Sequence, residues 1–251
     1  MPYSLTFALA TRDAPALPQN AVPALHANFF SWLQLVDADL AQRIDSGEGA
    51  KPFTVSPLSQ RNGRASFRVT LLDDNLFPLL STGIGKRPEV RILHAVLPLE
   101  REPLTAYHSY ADLAQCARQD KALSLRFDSP TSFRSNEKHY PFPDPVLVFT
   151  SYLTRWNAFA TDWLIDESWL EWLRAAVAPS RFQLRSETVR FPHFYQVGCV
   201  GSVEYRAVAE VDDDQALQVW NALADYAYYC GTGHKTTQGM GQTIRLDQWG
   251  G

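Results

Sequence analysis

The sequence predicts an α+β protein made of two tandem ferredoxin-like (βαββαβ, RRM-like) domains, with a glycine-rich loop near the C-terminus. Three observations carry that reading. Short stretches alternate apolar and polar residues, the period of a half-buried strand, and they are separated by apolar spacings of three and four, the period of an amphipathic helix. The order β-α-β-β-α-β occurs in each half, without any residue-level repeat. Finally, four of the 13 glycines fall between Gly231 and Gly241, just before the last strand-like run.

Taken in order, Tyr3 to Ala10 alternates as a strand, and Val22, Leu25, Phe29, Leu33 and Val36 form a helical face with Pro23 in its first turn. A short helical piece, Asp37 to Ile44, follows. Phe53 to Leu58 reads as a strand, Asn62-Gly63 as a hairpin turn, and Ser66 to Leu71 as the paired strand. Asp73 to Leu80 predicts a short helix with acids in its first turn, and Val90 to Leu97 the closing strand. A linking helix over roughly Ser109 to Arg118 leads to the second half. There Leu123 to Phe127 is a strand, Val146 to Phe159 a helix and Trp163 to Val177 an inserted helix. Phe182 to Phe191 and Gly198 to Val211 are two long strands; Asp212-Asp213-Asp214 opens a helix ending at Tyr229, and Thr243 to Leu246 closes the set. The expected domains are 1–105, a linker at 106–120, and 121–251.

Bulk properties narrow the function. A net charge of −4 gives no polyanion signal for the whole molecule, so any nucleic-acid contact needs a local basic face. Three cysteines with no C-x-x-C pair disfavour a disulfide framework or structural zinc, and fit a reducing cytoplasm. No apolar run of spanning length is present, so no membrane partner is expected. The glycine loop lacks the Gly-Lys-[Ser/Thr] that opens a helix in a P-loop, no G-x-S-x-G elbow marks a serine hydrolase, and no histidine or cysteine spacing suits a metal. No cofactor is called for.

The organising stretch is Cys230-Gly-Thr-Gly-His-Lys-Thr-Thr-Gln-Gly-Met-Gly-Gln242. Closely spaced glycines let a backbone approach another molecule, successive amides can converge on an anion as a nest, and Lys235 supplies a compact charge. The bland alternative is that Gly231 ends the preceding helix and the rest is a long turn. This loop on a tandem ferredoxin-like frame resembles the CRISPR repeat-processing endoribonucleases of the repeat-associated mysterious protein (RAMP) superfamily. Supporting segments are Leu25-His26 with Phe29-Phe30, Lys51 to Leu58, Phe127 to Phe133, and Ser151 to Asn157.

The resemblance implies metal-independent cleavage of precursor CRISPR RNA within its repeats. The attacking group is a 2′-hydroxyl, and the products carry a 2′,3′-cyclic phosphate and a 5′-hydroxyl. Such chemistry needs a base, a cation on the non-bridging oxygens and an acid for the leaving oxygen. Expected catalytic residues are His26, Asp45 and Lys51. Expected RNA contacts are Gly231, Gly233, His234, Lys235, Thr236, Thr237, Gly239, Gly241 and Arg155. Each has a structural alternative: His26 as a helix-edge residue, Lys51 as a solvated loop lysine. His94, His108, His139 and His193 are assigned to structure, and Trp169 and Trp172 to the core. The chain departs from the family where many members carry Leu-His, because Ile44-Asp45 stands there, and an aspartate near its ordinary pKa is a poor acid and a weak base at neutral pH. Hence a second reading stays open, a catalytically inactive CRISPR RNA-binding protein, and a third, a ferredoxin-like metabolite binder. Repeat RNA is the expected partner; effector-complex subunits and a second copy of the chain are further candidates.

Overall fold

A computed structural model describes residues 1–11, 17–18, 20–61, 63–135, 138–191, 193–208, 213–247 and 249. The chain divides into two units, Met1–Tyr107 with Thr237–Gly239, and His108–Thr236 with Met240–Gly251. Among the described residues no helix is long and apolar enough to cross a membrane.

The first unit runs β1 (Tyr3–Leu9), α1 (Val22–Gln34), α2 (Ala38–Ser46), β2 (Phe53–Val55), β3 (Ser59–Arg61), β4 (Arg64–Leu71), α3 (Leu76–Lys86), β5 (Glu89–Ile92), β6 (Ala95–Pro98) and β7 (Leu104–Tyr107). Its sheet has the order β2-β4-β1-β7, with β3 also on β4, and every pairing is antiparallel. Leu5, Phe7 and Leu9 alternate inward opposite Val69, Phe67 and Ala65 of β4, so one face is sealed by α1 and α3 through Phe29, Trp32 and Leu80. Phe7 stacks on Phe67 at 4.6 Å and on Trp32 at 5.2 Å.

Several boundaries differ from expectation. Pro57 has no N–H to give, so β2 stops at Val55 and its pairing with Arg68 passes through Ser56. The expected turn residue Asn62 lies outside the described residues; Arg61 pairs with Arg64 across it. Helix α3 starts at Leu76, because Asp73 accepts from the backbone and side chain of Asn75 and forms a turn ahead of the helix instead of joining its first turn. The stretch 90–97, read as one strand, is the hairpin β5–β6, turned at Leu93 with φ 54°. The strand that completes the main sheet is β7, whose four exposed residues carry no burial pattern. The alternation in β5–β6 has another cause. Val90, Ile92 and Leu97 join the core, and the Asn28 amide on α1 donates to Arg91 O (2.8 Å) while accepting from Arg91 N (2.9 Å), as a strand neighbour would.

The second unit runs α4 (Tyr110–Gln115), β8 (Ala122–Thr131), β9 (Phe133–Ser135), β10 (Lys138–Tyr140), α5 (Pro145–Phe159), α6 (Trp169–Ala176), β11 (Val177–Arg190), β12 (Tyr195–Ala207), α7 (Asp214–Cys230) and β13 (Thr243–Leu246); of the 3-10 turn Thr236–Gln238, Thr236 is grouped with this unit and Thr237 and Gln238 with the first. Its antiparallel sheet has the order β11-β12-β8-β13. In both units the first strand lies between the last strand and the second strand of the central hairpin, which is the ferredoxin-like arrangement. The two-domain fold class read from the sequence therefore stands. Helix starts follow local chemistry: Ser109 and Asp112 form a capping box on α4, Asp144 caps α5 ahead of Pro145, and Asp213 caps α7. Asp212, expected to open α7, lies outside the described residues. The inserted helix is shorter than expected, 169–176, since Asn157 clips Ile165 in a loop (2.8 and 2.9 Å) and Val177 already starts β11. The hairpin β9–β10 had no counterpart in the sequence reading.

Replacing Asn28 by alanine removes both bonds to Arg91 and one to Ala24 O. A loss of roughly 2–3 kcal/mol in urea unfolding is expected, the cost of unsatisfied half-buried backbone groups; unchanged stability would mean the hairpin is held by its apolar residues alone.

Candidate nucleic-acid interface

The glycine loop of the second unit is for the most part buried, and its amides are committed inside the protein. Gly231 N donates to Ala227 O, Thr232 N to Gly241 O (2.8 Å), His234 N to Ser132 O (3.0 Å) and Gly241 N to Pro130 O (3.1 Å). Gly233 N and Gln242 N reach the hydroxyls of Ser151 and Ser129. The expectation that successive amides across this stretch cup an anion is thus corrected for residues 231–234 and 240–242: a buried loop must satisfy its own N–H groups. The glycines have a packing reason. At Gly241 (φ 70°) a Cβ would lie 2.1 Å from Thr232 O, and at Gly233 (φ 71°) 2.2 Å from Ser132 O.

Beneath the loop lies a buried chain of hydroxyls. Tyr152 OH and Thr232 Oγ1 are 2.5 Å apart, and Thr232 Oγ1 and Thr243 Oγ1 are 2.6 Å apart. Burial pushes the Tyr152 phenol far up, so it serves as a hydrogen-bond donor and not as an acid. Arg155, expected to contact RNA, clamps the loop: it donates to Ser151 O at 3.0 Å and to Gly233 O.

His234 is half-buried. Its ring stacks on His139 (5.3 Å, 16°), and its Nε2 lies 2.5 Å from Gln196 Nε2, which also reaches Ser132 Oγ. Burial first, then the charges of Lys235, His139, Arg155 and Arg134, push His234 down to about 4. It is neutral at pH 7 and offers no positive charge to a phosphate. Lys235 adopts φ 60°, and its ammonium sits 4.9 Å from the Phe191 ring and 4.8 Å from Phe194. Burial lowers its pKa. Of the remaining residues expected to touch RNA, Thr236 is buried, Thr237 is half-buried in the 3-10 turn, and Gly239 is grouped with the first unit.

In the first unit, His26 on α1 is half-buried against Phe30 (5.0 Å) and Phe53 (5.8 Å). Burial lowers its pKa; Asp45 opposes that shift and Lys51 adds to it, so all three expected catalytic residues lie within electrostatic reach of one another. Lys51 is not a solvated loop lysine. Its Nζ donates to Ile44 O (2.7 Å), Asp45 O (2.9 Å) and Gly47 O (2.6 Å), which uses all three ammonium hydrogens on the C-terminal carbonyls of α2.

The sequence reading missed the aromatic turn between β11 and β12, although Phe191-Pro-His-Phe-Tyr195 places three aromatic rings where only turn residues are needed. Several exposed arginines of this unit are paired: Arg126 with Asp128, Arg185 with Glu187, and Arg181 and Arg206 with Glu204. Trp169 is buried core, as expected, whereas Trp172, also assigned to the core, is half-buried; Trp156 is buried as well.

A loop sealed by glycines ahead of the last strand of the second of two ferredoxin-like folds is the feature by which the chain resembles the RAMP superfamily. Residues 125–243 match the family model described as CRISPR-associated endoribonuclease Cas6, and the recognition of the CRISPR repeat-processing endoribonucleases stands. Among solved structures, a product complex of Thermus thermophilus Cas6 (TTHB231) shares 24% identity over 98% of this chain and 100% of that chain, with a TM-score of 0.85. A substrate-mimic complex of Cas6 (TTHA0078) shares 26% over 98% and 99%, at 0.78. A protein described as the product of a Cas6-related gene from Pyrococcus furiosus shares 15% over 99% of each, at 0.67. No curated protein matches the chain.

Two measurements check the loop. Gly49 and Gly241 both have positive φ, but a Cβ at Gly49 meets nothing within 4 Å. Gly49→Ala should cost about 1 kcal/mol and Gly241→Ala several times more; equal costs would remove the packing argument. For His234, the unfolded state binds more protons between pH 6.5 and about 4, so this residue's contribution to stability is present above 6.5 and is lost as pH falls through about 4. His234→Gln should shrink the fall in urea midpoint between pH 7 and pH 5, and an identical fall would refute the assignment.

Proposed function

We propose that the protein is a metal-independent endoribonuclease acting on CRISPR repeat RNA. The observation that carries this reading is the family match over 125–243, which spans the glycine loop. The solved relatives described as product and substrate-mimic complexes support it.

In the proposed reaction His26, neutral at pH 7, accepts the proton of the 2′-hydroxyl. The 2′-oxygen attacks the adjacent phosphorus, the bond from phosphorus to the 5′-oxygen breaks, that oxygen takes a proton from water, and His26 returns its own proton to solvent. A 2′,3′-cyclic phosphate and a 5′-hydroxyl remain. Asp45 steadies the imidazolium that forms, by the same attraction that opposes the burial shift of His26. Lys51 holds the end of α2 and so sets where Asp45 stands. RNA is met by the side chains around the 3-10 turn, with Thr237 the hydroxyl least enclosed. The inactive RNA-binding reading keeps one specific support: Lys51 has no N–H left for a phosphate oxygen.

Incubation with repeat RNA in EDTA should give one defined product ending in a cyclic phosphate, and a 2′-deoxy substitution at the cut site should abolish it. His26→Ala should lower the rate by about 100-fold or more with RNA affinity retained. The acidic limb of the pH–rate profile, where His26 becomes protonated, should have its midpoint below pH 6.5, because burial lowers the His26 pKa. Binding without cleavage by the wild-type protein would select the inactive reading.

A further inference from the structure

The hairpin β9–β10 of the second unit sets Arg134 directly across from His139, and residues that face each other across an antiparallel ladder share one face. That face meets the glycine loop, where the His139 ring stacks on His234 at 5.3 Å and 16°. His234 is held in turn by Gln196, which is 1% exposed and reaches both the ring Nε2 (2.5 Å) and the buried Ser132 hydroxyl. The His139 imidazole is thus placed by packing, although the residue is exposed. Arg134 is exposed as well and, among the described residues, carries no hydrogen bond or ion pair. It differs in this from Arg126, Arg181, Arg185 and Arg206 on the four-stranded sheet, each of which meets a carboxylate. The charges that bear on His234 are those of Lys235, His139, Arg155 and Arg134, all of them basic. Positive charge gathered at one place destabilises the compact state by self-repulsion, and a bound anion relieves it.

We infer that Arg134 and His139 take a phosphate group of the RNA backbone, with His234 the positioning residue on which the His139 ring rests. The inference rests on the RNA-binding reading above and adds to it a hairpin that none of the expected contact residues occupies. A phosphodiester fits for a chemical reason. A guanidinium presents N–H donors in a planar fork and has no acceptor, so its complement is an oxyanion with two neighbouring oxygens. A nucleobase edge mixes donors with acceptors, whereas the two free oxygens of a phosphodiester only accept. Residues 134, 139 and 234 all fall within the 125–243 stretch that matches the Cas6 family model, which favours RNA over an acidic protein segment as the source of the oxyanion. Such a contact fixes where the strand lies and carries no sequence information. Lys138 precedes His139 on β10 and belongs to the opposite face, which gives the site a neighbour of like charge that lies outside it.

The test uses the full chain and labelled repeat RNA, titrated at several salt concentrations, with inorganic phosphate and thermal melting as a separate arm. Arg134→Gln should weaken RNA binding about tenfold and reduce the slope of log affinity against log salt by about 1. Arg134→Lys should keep the wild-type slope and regain part of the affinity, since a point charge replaces the fork. His139→Ala should also weaken binding, and combined with Arg134→Gln it should cost less than the product of the two single losses, as residues sharing one phosphate must. Lys138→Gln should change neither affinity nor slope. Unchanged affinity and slope in Arg134→Gln, with the wild type binding, overturns the site. An equal loss in Lys138→Gln overturns it too, by assigning the effect to general charge. So does a melting temperature that phosphate raises in the wild type but not in Arg134→Gln, if RNA affinity is the same in both, because the ligand is then a free phosphate. If the wild type binds no repeat RNA at any salt concentration, the functional reading itself falls.

Discussion

The second unit depends on the bond from Thr232 N to Gly241 O. It closes the glycine loop on itself at a distance only glycine permits, and it sets the Thr232 hydroxyl between Tyr152 and Thr243. A chain of three hydroxyls in an apolar interior is stable only when each donor finds an acceptor, and Thr243 completes the series by donating to Gly241 O at 3.0 Å. The loop is therefore a packed element joining α5, α7, β8 and β13. Its rigidity is what allows Lys235, held at a positive φ, to project at a defined place.

That rigidity changes the meaning of the charged residues. Arg155, His234 and Lys235 all read as phosphate contacts when the chain is seen as a string. In the fold, the guanidinium is a clamp, the imidazole is neutral, and the ammonium is laid on aromatic rings. Lys51 follows the same rule in the first unit, where three carbonyls at a helix C-terminus offer a better-organised site than water. His26 is the exception. It is half-buried against Phe30 and Phe53, and its pKa is lowered mainly by burial, which leaves a neutral imidazole within electrostatic reach of Asp45. The proposed proton abstraction would draw on that arrangement.

Legibility in the sequence followed periodicity. Strands with one buried face, β1, β4, β8 and β12, announced themselves, as did α1, α5 and α7 with their apolar faces and, for α5 and α7, aspartate caps. Elements without a buried face did not: β7 is exposed along its length, and β9–β10 is too short to show a period. The stretch 90–97 misled for the opposite reason, since its alternation is real but is satisfied by packing on α1. The glycine spacing identified the loop and the family resemblance, yet could not say which way the amides point. Whether a glycine makes room for a ligand or for the protein's own carbonyl is a tertiary fact, and here Ser132 and Thr232 supply the carbonyls.

A protein with a net charge of −4 cannot hold RNA by bulk attraction. Its exposed arginines in the second sheet are largely matched by Asp128, Glu187 and Glu204. Such surface pairs add little to stability, but they reduce the positive potential that would otherwise draw any polyanion. Non-specific affinity for polyanions is thereby kept low. Under the proposed function, discrimination passes to a contact that needs the nucleotide in a particular shape, a 2′-hydroxyl in reach of a neutral histidine. Phosphate attraction alone favours every RNA alike, so a chain of that function would gain selectivity from committing its cations to its own architecture.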